Sequence, residues 1–322
     1  MALWGGIDEA GYGPQLGPLV VAGAAFHVPE PPEPGALWDA LADAVSRQAR
    51  GSADRLVVND SKKVNAGRSG LRRLEEGVLS FLSPCMEQLP LNGVELLRFV
   101  GAGRGGQEEP APWFRAVAGI SLPVATNPSA VDSKACVLTR ALADAGARVL
   151  PTRAAIVLPA EFNRIVARTH NKSLLLFQKC GLVLQDLWRH AGPGESRILV
   201  DRHGGRRRYR RLLKDVFPGC TCDVVREDAD GSTYRITDGE RRLLLTFADR
   251  ADAKALPTAL ASMTAKYLRE LHMMAFNRYW QERVEGLRPT AGYHGDSGRF
   301  LSDIAPALEA EGTAPADLVR LR

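Results

Sequence analysis

Residues 3–28 read LWGGIDEAGYGPQLGPLVVAGAAFHV, and this stretch indicates how the chain begins to fold. Its first apolar run stops at Asp8, and the turn-forming residues Gly11 and Gly13 follow. A second apolar run, over 18–28, has the length and β-branched content of a strand. The stretch therefore predicts a hairpin-like pair of strands, with an acidic side chain where the first strand ends.

The rest of the chain alternates helical and strand-like patterns. Helical spacing predicts helices over 36–49, 71–81, 131–147, 171–190, 206–214, 256–284 and 301–310. Short apolar or alternating runs predict strands over 154–158, 197–200, 222–225, 233–236 and 242–247, with an Asp238-Gly239 turn before the last of them. Glycines and prolines predict an irregular loop that includes residues 101–106. The fold class predicted is α/β, a sheet with helices packed on it.

The composition is that of an ordinary folded protein. Of the 322 residues, 45% are apolar and 25% are charged, which excludes a disordered or fibrous chain and suits one large domain. The formal net charge is +5 and the isoelectric point is about 9.0. This modest positive charge favours a polyanionic partner such as nucleic acid.

Expectations about location rest on the absence of targeting patterns. The first residues lack the basic region and cleavage site of a signal peptide, and no apolar run approaches the roughly 20 residues of a membrane span. The five cysteines are an odd number and mostly scattered, which favours a reducing compartment. We therefore expect a cytoplasmic protein without a membrane partner, and we expect a monomer.

Acidic residues stand at the ends of the predicted strands. Asp8 and Glu9 follow the first strand, Asp201 follows the strand over 197–200, and Asp252 follows the strand over 242–247. In an α/β sheet, strand ends present polar groups to ligands, and carboxylates that converge repel one another unless cations join them. Magnesium prefers such oxygen ligands. The alternative is that each acid only caps a helix or forms a turn.

Five blocks of sequence, in order, resemble the signatures of the type 2 ribonucleases H, the ribonuclease HII and HIII family. The opening block runs from Gly6 through Gly11-Tyr12-Gly13 to Ala22. The later blocks are Asn59-Asp60-Ser61-Lys62-Lys63, Ile198-Leu199-Val200-Asp201, Asp252 with the small-residue stretch 259–266, and Gly292-Tyr293. They span most of the chain, and the region 83–129 has no counterpart. The resemblance implies a ribonuclease H-like mixed sheet flanked by helices, with 83–129 as an inserted elaboration and 256–322 as a C-terminal helical part.

The resemblance also implies a reaction. Asp8, Glu9, Asp201 and Asp252 would bind two Mg²⁺ or Mn²⁺ ions, with Asp8 bridging both, and water would attack in line at phosphorus. The substrate would be the RNA strand of an RNA/DNA hybrid, or ribonucleotides embedded in DNA. Neighbours on a strand face opposite sides, so Asp8 and Glu9 share a site only if the chain bends there, or if Glu9 contributes its backbone carbonyl.

Further residues are expected to contact the substrate. The resemblance assigns the backbone of Gly11, Tyr12 and Gly13 to the 2′-hydroxyl, the block with Ser61, Lys62 and Lys63 to phosphate, and Tyr293 to a sugar. Tyr12 is the main departure, because the family usually has a basic residue between the two glycines. The alternatives are a solvated loop for the lysines and an ordinary half-buried tyrosine at 293.

A basic run over 206–214 begins shortly after Asp201. It includes Arg206, Arg207 and Tyr209, a combination suited to the backbone of a nucleic acid, although a solvated helix face is the alternative. His203 and His294 match no family motif and stay outside the predicted core site. A second hypothesis, motivated by Tyr12 and by the unmatched middle region, is a non-catalytic nucleic-acid-binding protein or a retargeted nuclease of the same fold.

Overall fold

A mixed eight-stranded β-sheet forms the centre of the protein. The computed structural model describes residues 1–30, 33, 35–51, 53–102 and 111–321. Its strands are β1 (Ala2–Ala10), β2 (Leu19–Val28), β3 (Val45–Ser46), β4 (Leu56–Val57), β5 (Arg148–Val149), β6 (Arg153–Val157), β7 (Gly194–Asp201), β8 (Thr221–Glu227), β9 (Gly231–Asp238) and β10 (Arg241–Ala248). The sheet order is β5-β2-β1-β7-β10-β9-β8, with β6 also paired to β2, while β3 and β4 form a separate pair.

Helices cover both faces of the sheet. They are α1 (Ala36–Ala40), α2 (Ser61–Val64), α3 (Gly70–Leu82), α4 (Gly93–Phe99), α5 (Pro112–Arg115), α6 (Pro128–Asp144), α7 (Pro159–Thr169), α8 (Lys172–Trp188), α9 (Arg210–Val216), α10 (Leu256–Gln281) and α11 (His294–Ala310). One apolar core joins α3, α6 and α10 to one face, and a second joins α7, α8 and α9 to the other. The predicted α/β class, with a mixed sheet between helices, is confirmed. None of the helices in the described ranges is both long and apolar enough to cross a membrane.

The opening hairpin follows from burial on both sides. β1 and β2 pair antiparallel along their whole length, as the sequence predicted. Leu3 and Ile7 of β1 pack into the core that contains α8, whereas Trp4 packs into the core that contains α10. Because both faces of the pair are covered, the two strands are almost continuously apolar.

Three strands bring acidic residues to one edge of the sheet. β7 runs parallel to β1, with Ile7 beside Val200, and also parallel to β10, with Asp201 beside Ala248. Since Asp8 and Asp201 each follow a paired residue, the register places them next to each other. The carboxyl ends of parallel strands meet at one edge, which is where α/β sheets bind ligands.

Helix α10 lies against β1 at a distance that only glycine permits. A Cβ atom on Gly6 would lie 2.1 Å from the backbone nitrogen of Thr258, in the first turn of α10. The Thr258 hydroxyl donates to the carbonyl of Leu199 at 3.1 Å, which ties the same turn to β7. The start of α10 is therefore fixed against both strands that carry acids.

Three helix predictions need correction, and in one of them the helix expected over 301–310 begins earlier, at His294. The helix expected over 36–49 ends at Ala40, and Val45–Ser46 instead pairs with Leu56–Val57 as a short strand. β-branched Val45 is buried in that pairing, so the tertiary contact outweighs the helical spacing. The helix expected over 206–214 begins only at Arg210.

The middle of the chain is partly helical and anchored to the core. Residues 103–106 of the expected loop lie outside the described residues. The carboxylate of Glu75, fully buried on α3, accepts hydrogen bonds from the backbone nitrogens of Val124, Ala125 and Thr126 at 2.6–2.9 Å. Tyr267 of α10 donates to the same carboxylate at 2.7 Å. The end of the unmatched region is thus hydrogen-bonded to the helices behind the sheet.

Candidate active site

Three carboxylates meet at the edge where β1 and β7 end. Asp8, Glu9 and Asp201 each offer an oxygen, and these oxygens all lie within 4.8 Å of one another. Within the described residues this is the one group of histidine, cysteine or acidic side chains with such spacing. The cluster joins residues almost two hundred positions apart in the sequence.

Asp8 is the most buried member of the cluster, with 7% of its surface exposed. Its Oδ1 accepts a hydrogen bond from the backbone nitrogen of Glu9 at 2.7 Å, and a hydrogen bond with Ser262 of α10 lowers its pKa. Burial, followed by the charges of Glu9 and Asp201, outweighs this and raises the pKa of Asp8 well above its ordinary value. A cation at this position would offset most of the free-energy cost of burying the charged Asp8 carboxylate beside the other acids.

Glu9 joins the cluster without a bend in the chain. β1 continues to Ala10, and Glu9 pairs with Val21 of β2 like any strand residue. The predicted bend is therefore absent, and the length of the glutamate side chain lets its carboxylate reach the group at the end of the strand. Burial and the charge of Asp201 raise the pKa of Glu9 to about 8.

Asp201 and Asp252 are linked by a short backbone segment. The backbone nitrogen of Ala251 donates to Oδ1 of Asp201 at 3.0 Å, in the 3₁₀ turn Ala251–Ala253 that contains Asp252. Burial raises the pKa of Asp201 to about 6. Asp252 is outside the group of three, although its charge raises the pKa of all three members. The structure thus holds three of the four predicted acids together and places the fourth beside them.

The donor set fits a hard divalent cation. All the ligand atoms are carboxylate oxygens, and three such groups in a buried position repel one another unless a cation or protons neutralise them. Oxygens that share one Mg²⁺ lie about 3–4 Å apart, since each is roughly 2.1 Å from the ion, and the cluster is close to that spacing. Asp8, Glu9 and Asp201 can therefore hold the ion, with Asp252 available at the periphery.

Replacement of Glu9 should reveal the charge repulsion in metal-free protein. The pKa of Glu9 is raised to about 8 in the folded protein and is near 4 in the unfolded chain. Relative to Glu9→Gln, the stability of wild type is therefore highest below pH 4, and this stability is lost as the pH rises through about 8. We expect the free energy of unfolding of wild type, relative to Glu9→Gln, to fall by about 3 kcal/mol between pH 5 and pH 9. Urea denaturation in chelator measures this difference. A constant difference would contradict the predicted crowding, and Mg²⁺ should reduce the fall.

The Gly11-Tyr12-Gly13 turn is held by residues from the far end of the sequence. Gly11 has φ +88°, and a Cβ atom there would lie 2.4 Å from the carbonyl oxygen of Pro18, so this position requires glycine. The backbone nitrogens of Gln15 and Leu16 both donate to the carbonyl of Gly292, at 2.8 and 3.1 Å. The structure thus brings the first and last motif blocks together.

The two aromatic side chains of these blocks differ in exposure. Tyr293 is 49% exposed, and the guanidinium of Arg269 lies 5.9 Å from the centre of its ring. Tyr12 is half-buried, with the ammonium of Lys172 5.2 Å from its ring centre. The Tyr293 side chain is thus accessible to a ligand, whereas the Tyr12 side chain packs partly against the protein.

The block that contains Ser61, Lys62 and Lys63 lies beside the acids. Both lysines are exposed, at the start of α2, and the charge of Lys62 lowers the pKa of Glu9 and of Asp252. Ser61 is buried, and its hydroxyl accepts a hydrogen bond from Ser262 at 3.1 Å. Ser61 is therefore placed to support the site rather than to face solvent.

Two residues next to the acids were not among the predicted site residues. Ser262 contacts both Asp8 and Ser61, and the small-residue stretch of α10 was its only signal in the sequence. Asp60 raises the pKa of Asp252 and accepts a hydrogen bond from the backbone nitrogen of Lys62 at 2.8 Å, so it both caps α2 and adds to the acidic field.

The basic run after Asp201 is only partly available to a ligand. Arg206 donates to the Ser173 hydroxyl at 3.2 Å and lowers the pKa of Tyr12, which places it near the turn, and Arg207 is exposed. Tyr209 does not fit the predicted role in nucleic-acid contact, because it is fully buried and stacks on Phe247 with ring centres 3.7 Å apart. Its backbone nitrogen donates to the Tyr234 hydroxyl, which holds residue 209 in the core and delays the helix to Arg210.

The two histidines set aside in the sequence remain outside the acidic cluster. Burial lowers the pKa of His203 to about 3, and its ring lies among Phe177, Tyr209 and Phe247. His203 is therefore neutral near pH 7 and packs as a core residue. The Nδ1 atom of His294 lies 3.2 Å from Oε1 of Gln15, next to the turn.

No protein-family model and no curated protein sequence matches the chain. Solved structures resemble it. One is ribonuclease HII from Archaeoglobus fulgidus, in a complex with PCNA, at 17% identity over 99% of this chain and 94% of that chain, with a TM-score of 0.43. Another is ribonuclease H2 from Pyrococcus horikoshii OT3, at 17% identity over 98% and 92% of the two chains, with a TM-score of 0.43. A third is Bst-RNase HIII in complex with Mn²⁺, at 14% identity over 99% and 66%, with a TM-score of 0.42.

Proposed function

We propose that this protein is a metal-dependent endonuclease that hydrolyses the RNA strand of RNA/DNA hybrids, or ribonucleotides embedded in DNA, like the type 2 ribonucleases H that its motifs resemble. The observation that carries it is the meeting of Asp8, Glu9 and Asp201 within 4.8 Å at the end of β1 and β7.

In the proposed reaction Asp8, Glu9 and Asp201 would hold the divalent cations. Bound Mg²⁺ or Mn²⁺ would supply Lewis-acid stabilisation of phosphate oxygens and lower the pKa of the attacking water. Asp8 is held by hydrogen bonds to the Glu9 backbone and to Ser262, so its carboxylate is fixed within the cluster. Asp252, more peripheral, adds negative charge that favours the cations. Product ends of 5′-phosphate and 3′-hydroxyl are what the resemblance implies.

Substrate contacts are proposed on both sides of the acids. Lys62 and Lys63 are exposed next to them and would contact phosphates of the duplex. Tyr293 is exposed and tied to the Gly11–Gly13 turn through Gly292, which suits a contact with a sugar or base. Arg206, near Tyr12, and the exposed Arg207 extend the positive surface.

A cleavage assay tests the proposed function. The purified protein, with Mg²⁺ or Mn²⁺, is incubated with an RNA/DNA hybrid, with a DNA duplex that contains one ribonucleotide, and with all-DNA and single-stranded RNA controls. We expect cleavage of the first two substrates and loss of cleavage in chelator. If both stay intact while a ribonuclease H2 control cuts them, the proposal is wrong. Binding of the hybrid without cleavage would instead support the non-catalytic hypothesis.

Gly13→Ala should separate substrate contact from stability. A Cβ atom on Gly13 would meet no atom within 4 Å, and its φ is not in the left-handed region. The protein itself therefore tolerates a side chain at position 13, and we attribute the glycine to close approach of a ligand to the backbone. We expect the free energy of unfolding to change by less than about 0.5 kcal/mol, and kcat/KM on the hybrid to fall about tenfold.

Unchanged kcat/KM in Gly13→Ala would remove the turn from the substrate surface. Gly11→Ala is the matched comparison, because it should lose both stability and activity.

A further inference from the structure

A partly enclosed cleft lies beside the Gly11–Gly13 turn, between the first residues of two long helices. The cleft is small, with a volume of about 30 Å³ for water-sized molecules. Lys172 is the first residue of α8, His294 is the first residue of α11, and both line the cleft together with Gln15 and Arg320. The N-terminal end of a helix carries a partial positive charge. Two helix ends and the side chains of Lys172 and Arg320 therefore make the electrostatic potential in the cleft positive.

Arg320 is buried with unsatisfied hydrogen-bonding capacity. It is 3% exposed, and one of its guanidinium nitrogens donates to the carbonyl of Pro14. Its Nε and a second guanidinium nitrogen, Nη1, have no hydrogen-bond partner, and no carboxylate pairs with it among the described residues. Burial and the charge of nearby Arg269 lower the pKa of Arg320 to about 9. The guanidinium also lies 4.9 Å from the centre of the Phe162 ring, and an anion would stabilise the buried charge further.

Arg269 adds a second buried charge behind the cleft. It is 1% exposed and donates to the carbonyls of Leu16 and Ala291, at 3.1 and 3.0 Å, while two of its nitrogens lack partners. Asp296, the acid in the first turn of α11, is already paired with Arg299 at 2.6 Å. Asp296 is thus already engaged by another arginine, and no acidic residue lines the cleft among the described residues.

We propose that this cleft binds a phosphate group through Arg320, Lys172 and the N-terminal ends of α8 and α11. If the proposed function holds, the ligand is a backbone phosphate of the nucleic acid that lies along the Gly11–Gly13 turn. The chemistry is the same for a free phosphate anion. Guanidinium groups form charge-assisted hydrogen bonds to phosphate oxygens, and Nε and Nη1 of Arg320 each lack a hydrogen-bond partner.

Binding of inorganic phosphate to metal-free protein tests the site independently of cleavage. We compare wild type with Arg320→Met, with Lys172→Gln at an exposed position, and with Arg140→Met, an exposed arginine on α6, as control. We expect Arg320→Met to bind phosphate at least about tenfold more weakly in calorimetry, Lys172→Gln to bind it several-fold more weakly, and the control to match wild type. Circular dichroism and thermal melting establish that each variant is folded. If Arg320→Met does not fold, the phosphate affinity of Lys172→Gln tests the proposal instead.

The salt dependence of hybrid binding in chelator distinguishes the two sources of phosphate. Loss of one backbone contact should reduce the slope of log K against log salt by about 0.9 in Arg320→Met. Weaker phosphate binding with an unchanged slope would assign the site to a free anion and overturn the nucleic-acid part. Lower stability with unchanged phosphate binding would show a purely structural arginine and overturn the proposal. Phosphate binding that depends on Arg320 in a protein that cuts no hybrid would leave the site intact and reject the nuclease.

Discussion

Asp8→Asn should abolish hybrid cleavage while leaving hybrid binding within about twofold of wild type. Asp8 lies within 4.8 Å of Glu9 and Asp201 and is the most buried of the three acids. Asparagine keeps the acceptor for the Glu9 backbone nitrogen but removes the charge that favours a cation. Loss of Lewis-acid stabilisation of several kcal/mol corresponds to a fall in kcat on the order of 10³-fold or more.

The same substitution should make the metal-free protein more stable, which separates a loss of chemistry from a loss of fold. It removes a buried charge whose pKa is raised by burial and by the neighbouring acids, so the free energy of unfolding at pH 8 should rise. Asp132→Asn, at an exposed position on α6, is the control and should change neither quantity. Residual cleavage equal to wild type would point to a contaminant or to another site.

Gly6→Ala should lower both stability and activity, although it adds one methyl group outside the acidic cluster. The new Cβ would lie 2.1 Å from the Thr258 nitrogen and 2.4 Å from its Cα, so backbone rather than a flexible side chain has to move. We expect a loss of about 3 kcal/mol in the free energy of unfolding. α10 also carries Ser262, the partner of Asp8, and displacement of the site by about 1 Å should lower kcat on the order of 10²-fold.

Gly5→Ala is a matched control on the opposite face of β1. Its Cβ would meet the side chains of Ile198 and Leu187 at 3.1 and 3.5 Å, and side chains can adjust by a few tenths of an ångström. We expect this variant to stay within about 1 kcal/mol of wild type and to keep its activity. If Gly6→Ala unfolds at the same urea concentration as Gly5→Ala, the contact between β1 and α10 does not position the site in the way we infer.

The features that the sequence predicted are those encoded locally. The hairpin of β1 and β2 follows from two apolar runs and the glycines between them, and Asp8 and Asp201 each stand directly after such a run. Parallel pairing of β1 with β7 then makes the two acids neighbours. For Glu9 the sequence predicted a bend in the chain. The structure has no bend there, because the long side chain of Glu9 reaches the cluster from the strand.

The features that the sequence did not predict depend on contacts between distant segments. Tyr209 stands in a run of arginines, and only its stacking on Phe247 shows that it belongs to the core. Val45 has helical neighbours but pairs with Leu56 of another segment. Ser262 and Arg320 belong to no motif. Their roles depend on which distant residues α10 and the end of the chain contact in the folded protein. Local periodicity contains no information on such partners.

The last residues described also hold the Gly11–Gly13 turn in place. Val319 pairs with Leu16, the backbone nitrogen of Arg320 donates to the carbonyl of Gln15 at 3.0 Å, and Leu321 donates to Asn163 at 2.7 Å. The turn lies among the first twenty residues, and the residues that hold it are translated about three hundred codons later. During translation the turn therefore cannot reach its final conformation until those residues have been made. A nascent chain stalled before that point would lack the contacts through which residues 319 and 320 hold the turn.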